Sequence, residues 1–259
     1  MSDLVHARVV DNLSRVYLGN VAKRLDAVLA EAARTEPSYL GFLDQLLTEE
    51  LDAKRGKRIA MGIQIAHFPV VRTLDEFDFK FQPSIDQKLV RELATGRFVR
   101  SAENVLMIGD PGVGKTHLAI ALGRAVVESG ATVLFTSATA LLAALAKAES
   151  EGQLAEKLGM FAKPKLLVVD ELGYLPFEKR SAHLFFQLVA KRYEKGSMLV
   201  TTNQRVAQWG SVFGDDVLAA AILDRFLHHS HAIMIQGESF RLKQKRKAGL
   251  FGKTQAPPS

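Results

Sequence analysis

The sequence contains no cysteine, which excludes disulfides, zinc–thiolate sites and thiol catalysis and fits a reducing, cytoplasmic setting. It also lacks membrane signals. The N-terminal stretch MSDLVHARVVDNLSRVY carries charges throughout and has no apolar block of the secretory kind. The longest uncharged run, residues 129–146, holds Gly130 and five Ser or Thr residues. It divides into a β-rich piece, TVLFTSA, and a helical piece, LLAALA, so it reads as soluble structure and not as a span. An excess of one charge sign is missing from most of the chain. Residues 1–75 carry 10 basic and 10 acidic side chains, and residues 76–237 carry 18 and 17. The formal net charge of +6 therefore sits in residues 238–259, with 6 basic side chains and one acidic. Such a tail either neutralises phosphates or simply aids solubility, and on the tail alone the two readings stand level.

Two patterns are present along the 259 residues. The first 60-odd residues show Leu, Val and Ala three and four apart, as in VAKRLDAVLAEAAR and FLDQLLTEELDAKRGKRIAMGI, which predicts an αα unit broken at Pro37. HFPVVRTLDEFDFKFQPSID then interrupts the helical spacing and reads as a connector packed on the next domain. From about residue 84 short apolar strands (NVLMIG, ATVLFTSA, KLLVVDE, SMLVTTN, AIMIQG) alternate with helical segments such as KTHLAIALGRAVVESG and the long ALLAALAKAESEGQLAEKLGMFA. That alternation predicts an α/β fold with a mainly parallel sheet flanked by helices, and wholly apolar strands are expected where both sheet faces are covered.

GDPGVGKT, residues 109–116, matches the phosphate-loop pattern in full, after a strand and before a helix. The chemistry accounts for the spacing. Gly109, Asp110, Pro111, Gly112, Val113 and Gly114 curl the backbone so that N–H groups face phosphate oxygens. The following helix, opening with Lys115, Thr116 and His117, adds partial positive charge. Lys115 reaches the β- and γ-phosphates of ATP, and Thr116 offers its hydroxyl to Mg²⁺. Some 55 residues on, LLVVDE places Asp170 and Glu171 at the carboxyl end of a buried strand, where open α/β sheets bind ligands. Asp170 suits the Mg²⁺ shell, partly through water; Glu171 suits orienting and deprotonating the attacking water. Asn203, ending SMLVTTN, either holds that water or the γ-phosphate, or is a strand-terminating turn residue.

This order of motifs, with FQPSID, RFV, PGVGKTHLAIALG, DELGYLP, FGD and AAAILDRFLHHSHAIMIQGESFRLK, resembles the IstB transposition-helper ATPases, relatives of the helicase loader DnaC. The match runs from about Phe42 to Lys243. The resemblance implies an AAA+ P-loop fold preceded by a small helical domain. It would divide the chain into a helical domain at 1–68 for oligomerisation and DNA contact, an ATPase domain at 69–243 and a basic tail at 244–259. Asn203 would be the sensor, Arg225 a finger reaching a neighbouring subunit's ATP, and Arg241 a second sensor on the γ-phosphate. A ring or spiral homo-oligomer along double-stranded DNA, working with a partner transposase, is implied. DNA-contact candidates are Lys54, Arg55, Lys57 and Arg58 in the first domain, and Lys147, Lys157, Lys163 and Lys165 near the third strand. The alternative branch is a helicase loader acting on single-stranded DNA.

Other classes fit less well. A P-loop kinase needs an acceptor-binding lid, whereas paired acids and two arginines suit water as acceptor; a scaffold that binds ATP without turnover would not respond to Glu171→Gln. His228, His229 and His231 lie close in sequence, but no neighbouring carboxylate or cysteine completes a metal set. Trp209 reads as a packing anchor. Phe77, Phe79 and Phe81 have strand-like spacing, expected as core with one ring available to border adenine.

Overall fold

The computed structural model describes residues 2–174, 177–240 and 243. The chain divides into two compact units, one of residues Met1–Met61 and a second beginning at Gly62. The first holds α1 (Ser2–Arg15), α2 (Gly19–Thr35) and most of α3 (Tyr39–Ile65). The break at Pro37 is where the spacing places it, but a further break after Arg15 makes three helices where the apolar periodicity indicated two. α2 has no side-chain cap of its own at Leu18. Its first N–H groups are satisfied instead from α3, where buried Glu50 accepts from Asn20 N and Val21 N, both at 2.9 Å.

The second unit holds α4 (Gln87–Ala94), α5 (Arg97–Arg100), β1 (Asn104–Gly109), α6 (Lys115–Glu128), β2 (Val133–Ser137), α7 (Ala138–Ser150) and α8 (Leu154–Ala162). β3 (Leu166–Leu172), α9 (Lys179–Arg192), β4 (Ser197–Thr202), α10 (Trp209–Phe213), α11 (Asp216–Leu227) and β5 (Ser230–Ile235) complete it. The five strands form one sheet in the order β2-β3-β4-β1-β5, and every pairing is parallel. Alternation along each strand builds two cores. Leu106, Ile108, Leu167, Val169, Met198 and Val200 pack with α7, α8, α9 and α11, while Val105, Met107, Leu166, Val168 and Leu199 pack with α4, α5 and α6. On the central strands β1, β3 and β4 both faces are covered, as the wholly apolar runs indicated, whereas on the edge strand β5 Met234 is half exposed because no neighbour among the described residues covers that face.

Polar punctuation sets the helix starts. Asp86, the last residue of FQPSID, accepts from Lys88 N and Leu89 N at the start of α4. Ser137 caps α7 through Ala140 N, and Asp215 caps α11 through Leu218 N. Gly214, at φ +66°, ends α10, so FGD is a stop-and-start signal. The long helical reading of residues 138–162 is two helices, parted at Gly152 in the left-handed region (φ +72°). The uncharged run 129–146 splits into β2 and the start of α7, and among the described residues no helix is long and apolar enough to cross a membrane. Trp209 is 1% exposed against Phe213 and Phe226, a packing anchor as the sequence indicated.

β1 is the turning point of the topology. From it the chain crosses to β2 at the far edge, while β5 lies on its other side, and β4 is inserted between β1 and β3. The carboxyl ends of β1, β3 and β4 therefore open onto one crevice, the place where open parallel sheets bind ligands.

Candidate nucleotide site

The loop from β1 to α6 is shaped by its glycines. Gly112 and Gly114 have φ of +86° and +103°. A Cβ at Gly114 would lie 2.7 Å from the Phe77 ring, and one at Gly112 would strike the Ser239 hydroxyl. Gly114 directly precedes α6, so the N–H groups of that helix's first turn face the crevice with their partial positive charge. Lys115 Nζ donates to Gly109 O at 2.7 Å and Asp110 O at 2.8 Å, closing the loop on itself.

The two acids of β3 do not lie on a regular strand. A pleated strand would send Asp170 and Glu171 to opposite faces. Instead the β3–β4 register shifts between Val169 and Leu172, and Glu171 has φ +62°, left-handed and uncommon outside glycine. Asp170 is 7% exposed, whereas Glu171 is exposed and lines the cavity. β4 supplies the parts that hold this bulge. Thr201 Oγ1, fully buried, donates a short hydrogen bond to Asp170 Oδ1 and accepts from Glu171 N at 2.9 Å. Thr202 Oγ1 donates to Leu172 O at 2.7 Å on the far side of the irregularity. Thr116 Oγ1 lies 3.0 and 3.1 Å from the two Asp170 carboxylate oxygens. A hydroxyl and a carboxylate so placed, beside a loop built for phosphate, fit the hard-oxygen shell of Mg²⁺.

A cavity of about 570 Å³ runs beside these groups, within the range of small-molecule sites. Pro111–His117, Ile120, Glu171, Tyr174 and Asn203 line one side. Asn203 Oδ1 is buried without a hydrogen-bond partner among the described residues. The opposite wall comes from the connector and the segment after β5. Phe77 packs edge-on to His117 at 5.2 Å, whose Nε2 is 2.9 Å from Thr73 O. Phe81 and Phe240 meet edge-to-face at 5.4 Å, with Lys243 Nζ 3.8 Å above Phe81. Phe240 N donates to Gly112 O at 3.0 Å, Gln82 Nε2 to Glu238 O at 3.1 Å, and Ser84 Oγ to Gln236 O at 2.9 Å. The FQP and ESF stretches thus lean on each other over the phosphate loop. The connector carries these rings on tight turns and not on extended backbone, with Phe79 N bonded to Phe77 O and Phe81 N to Asp78 O. Only Phe77 of the three is buried, and Phe77 and Phe81 both border the cavity.

The fold therefore unites Pro111–Thr116, Asp170, Glu171 and Asn203. Arg225 is elsewhere, its guanidinium 4.7 Å over the Phe186 ring and Nη1 3.4 Å from Ala221 O, and it does not line the cavity. Arg241 and residues 244–259 lie outside the described residues. Lys54 pairs with Glu50 at 3.5 Å, while Arg55, Lys57 and Arg58 are exposed on α3. Lys147 pairs with Glu151 at 3.8 Å, Lys157 lies over Phe161 at 5.6 Å, and Lys163 and Lys165 are exposed. Thr201 and Phe240 were not singled out as site residues by sequence pattern, whereas Phe77 was one of the three rings expected to offer a border for adenine. The signal for Thr201 was its place in the TTN strand opposite the acids, and that for Phe240 the ESF motif, matched without a physical role.

A phosphate loop, a bulged acid pair and an intervening polar-ended strand define a P-loop nucleotide-binding protein of the AAA+ fold. The chain belongs to the family of IstB-like ATP binding proteins, whose pattern matches residues 11–248. It is 47% identical over 247 residues to the insertion sequence IS21 ATP-binding protein of Pseudomonas aeruginosa, covering 95% of this chain and 93% of that one. It is 41% identical over 239 residues to the insertion sequence IS5376 ATP-binding protein of Geobacillus stearothermophilus, with 92% and 95% covered. Among solved structures it resembles AMPPCP-bound DnaA from Aquifex aeolicus, with TM-score 0.55 and 22% identity over 74% of this chain and 58% of that one. DnaI gives TM-score 0.51 and 22% identity over 65% and 89%. The likeness to these two is one of fold.

Proposed function

We propose that this protein is a Mg²⁺-dependent ATPase that oligomerises on double-stranded DNA and assists a partner transposase in selecting or remodelling its target. The observation that carries the hydrolytic reading is the bulge that turns Glu171 into the cavity while Asp170 stays beside Thr116. Asp170 and Thr116 would hold Mg²⁺, which when bound neutralises charge on the β- and γ-phosphates. Lys115 and the α6 amides position the phosphates. Glu171 takes the proton of the attacking water, and Asn203, whose carbonyl oxygen beside the cavity has no partner among the described residues, orients that water. Arg225, away from its own cavity, acts as the finger in a neighbour's site, and Arg241 contacts the γ-phosphate from its own chain. In this reading residues 1–68 serve oligomerisation and DNA contact, through Lys54, Arg55, Lys57 and Arg58. Residues 69–243 are the ATPase, with Lys147, Lys157, Lys163 and Lys165 toward DNA, and 244–259 a basic tail. The names of the insertion-sequence relatives support the transposition context.

The test is ATP hydrolysis with and without duplex DNA, beside Arg225→Ala. Stimulation by duplex, and a loss on the order of 10³-fold in the variant with ATP binding retained, supports the reading. Stimulation by single-stranded DNA alone replaces it with the helicase-loader reading. A rate indifferent to both DNA and the substitution overturns the finger and the assembly on DNA.

A further inference from the structure

The fold supplies the carboxylate that the histidine-rich stretch lacked in sequence. α9 and α11 end side by side, and one ring nitrogen each of His228 and His229 and a carboxylate oxygen of Glu194 lie within 4.8 Å of one another. Among the described residues this is the one group of three such side chains within metal-ligand reach. His231, which the sequence grouped with the other two, faces elsewhere and pairs with Glu103 at 2.7 Å.

We propose that Glu194, His228 and His229 form a binding site for Zn²⁺ or a similar late first-row divalent cation, with water in the fourth position. Two imidazoles and one carboxylate are a ligand set that zinc takes with an open position. Bonds of about 2.0–2.1 Å in a tetrahedron put ligand atoms about 3.3 Å apart. Closing from 4.8 Å asks only for side-chain rotation, and all three residues are exposed. Tyr193 Oη lies 2.9 Å from His228 Nδ1, the kind of outer partner that fixes a ligating imidazole's tautomer and orientation. The two imidazole rings stand 4.2 Å apart at an interplanar angle of 50°.

The local field points the same way. Two helix C-termini, α9 at Arg192 and α11 at Leu227, present their negative dipole ends to this corner. A bound cation clamps the end of α9 to the end of α11, three residues past Arg225. This inference stands apart from the ATP site and does not depend on the DNA-assembly reading.

The experiment is titration of the tag-free, full-length, nucleotide-free chain with Zn²⁺ by calorimetry and with Co²⁺ by visible absorption. One equivalent of Zn²⁺ per chain is expected, together with the intense Co²⁺ bands of a four-coordinate site. His228→Ala, His229→Ala and Glu194→Gln should each weaken binding about tenfold or more, and Tyr193→Phe should weaken it by a smaller factor. Zn²⁺ at a hundredfold excess over its Kd should raise the Tm by about 5 °C in the parent chain and not in the double histidine variant. Circular dichroism of the variants, whose substitutions are at exposed positions, checks that they fold. No saturable binding, or binding unchanged in His228→Ala/His229→Ala, overturns the proposal.

Discussion

Thr201 is a single hydroxyl bonded to two successive acidic residues. It donates to Asp170 and accepts from Glu171 N, so its loss removes a partner from a buried carboxylate and from a backbone amide in a strained conformation. Thr201→Val keeps the shape and deletes both bonds. We expect kcat for ATP to fall about 10- to 100-fold with KM changed little, as outer-sphere partners of reacting groups behave, and Thr201→Ser to restore most of it. Steady-state hydrolysis resolves kcat from KM, and an unchanged kcat in the valine variant would remove Thr201 from the machinery. Nothing in the sequence forecast this. The phosphate loop was legible because its chemistry is local and its glycines are diagnostic, whereas Thr201 acts across the sheet on residues 30 positions away.

Between elements, two buried charged groups hold the structure together. Arg192, 2% exposed at the end of α9, donates to the carbonyls of Phe161, Ala162, Pro164, Lys165 and Ser197. It ties the end of α8, the approach to β3 and the start of β4 into one corner. Burial pulls its pKa down to about 10, which leaves it charged at neutral pH. Arg192→Met would orphan these carbonyls and should cost about 3 kcal/mol or more, read as a lower urea midpoint. Glu50 caps α2 from the neighbouring helix. Burial alone would raise its pKa, but the Val21 and Asn20 amides and the Lys54 ammonium outweigh that and hold it below 4.5. A depressed folded pKa means its contribution is present above the ordinary value and is lost as pH falls through the lower one. Amide exchange in the first turn of α2 should therefore accelerate as pH drops below about 4.5 beyond its intrinsic pH dependence. In Glu50→Gln that extra change should vanish.

For the whole molecule, the proposal that Arg225 serves a neighbour predicts complementation. Lys115→Ala and Arg225→Ala should each be nearly inactive alone, and an equal mixture should regain part of the parent hydrolysis rate, because some interfaces pair an intact phosphate loop with an intact finger. A mixture no faster than its components would place the arginine in its own site or in none. At this scale the alternation of strands and helices made the parallel sheet legible, since apolar period-two runs survive any strand order. The order itself, with β4 between β1 and β3, rests on long-range pairing that local pattern does not encode. The connector departs from its pattern for a related reason. Phe77, Phe79 and Phe81 have the spacing of a strand, yet their backbone closes into turns that set Phe77 against Gly114. Glu194 joined the histidines in the same way, through the meeting of two helix ends.

The left-handed backbone at Glu171 carries a cost that glycine would not incur, on the order of 1 kcal/mol. Glu171→Gly should therefore raise the Tm while abolishing hydrolysis, a pairing that calorimetry and an ATPase assay would show together. A lineage freed from the need to turn over ATP would gain by losing this side chain. On the hydrolytic reading proposed above, selection for thermal tolerance alone would favour glycine at this position, leaving well-folded, nucleotide-binding descendants that no longer cycle.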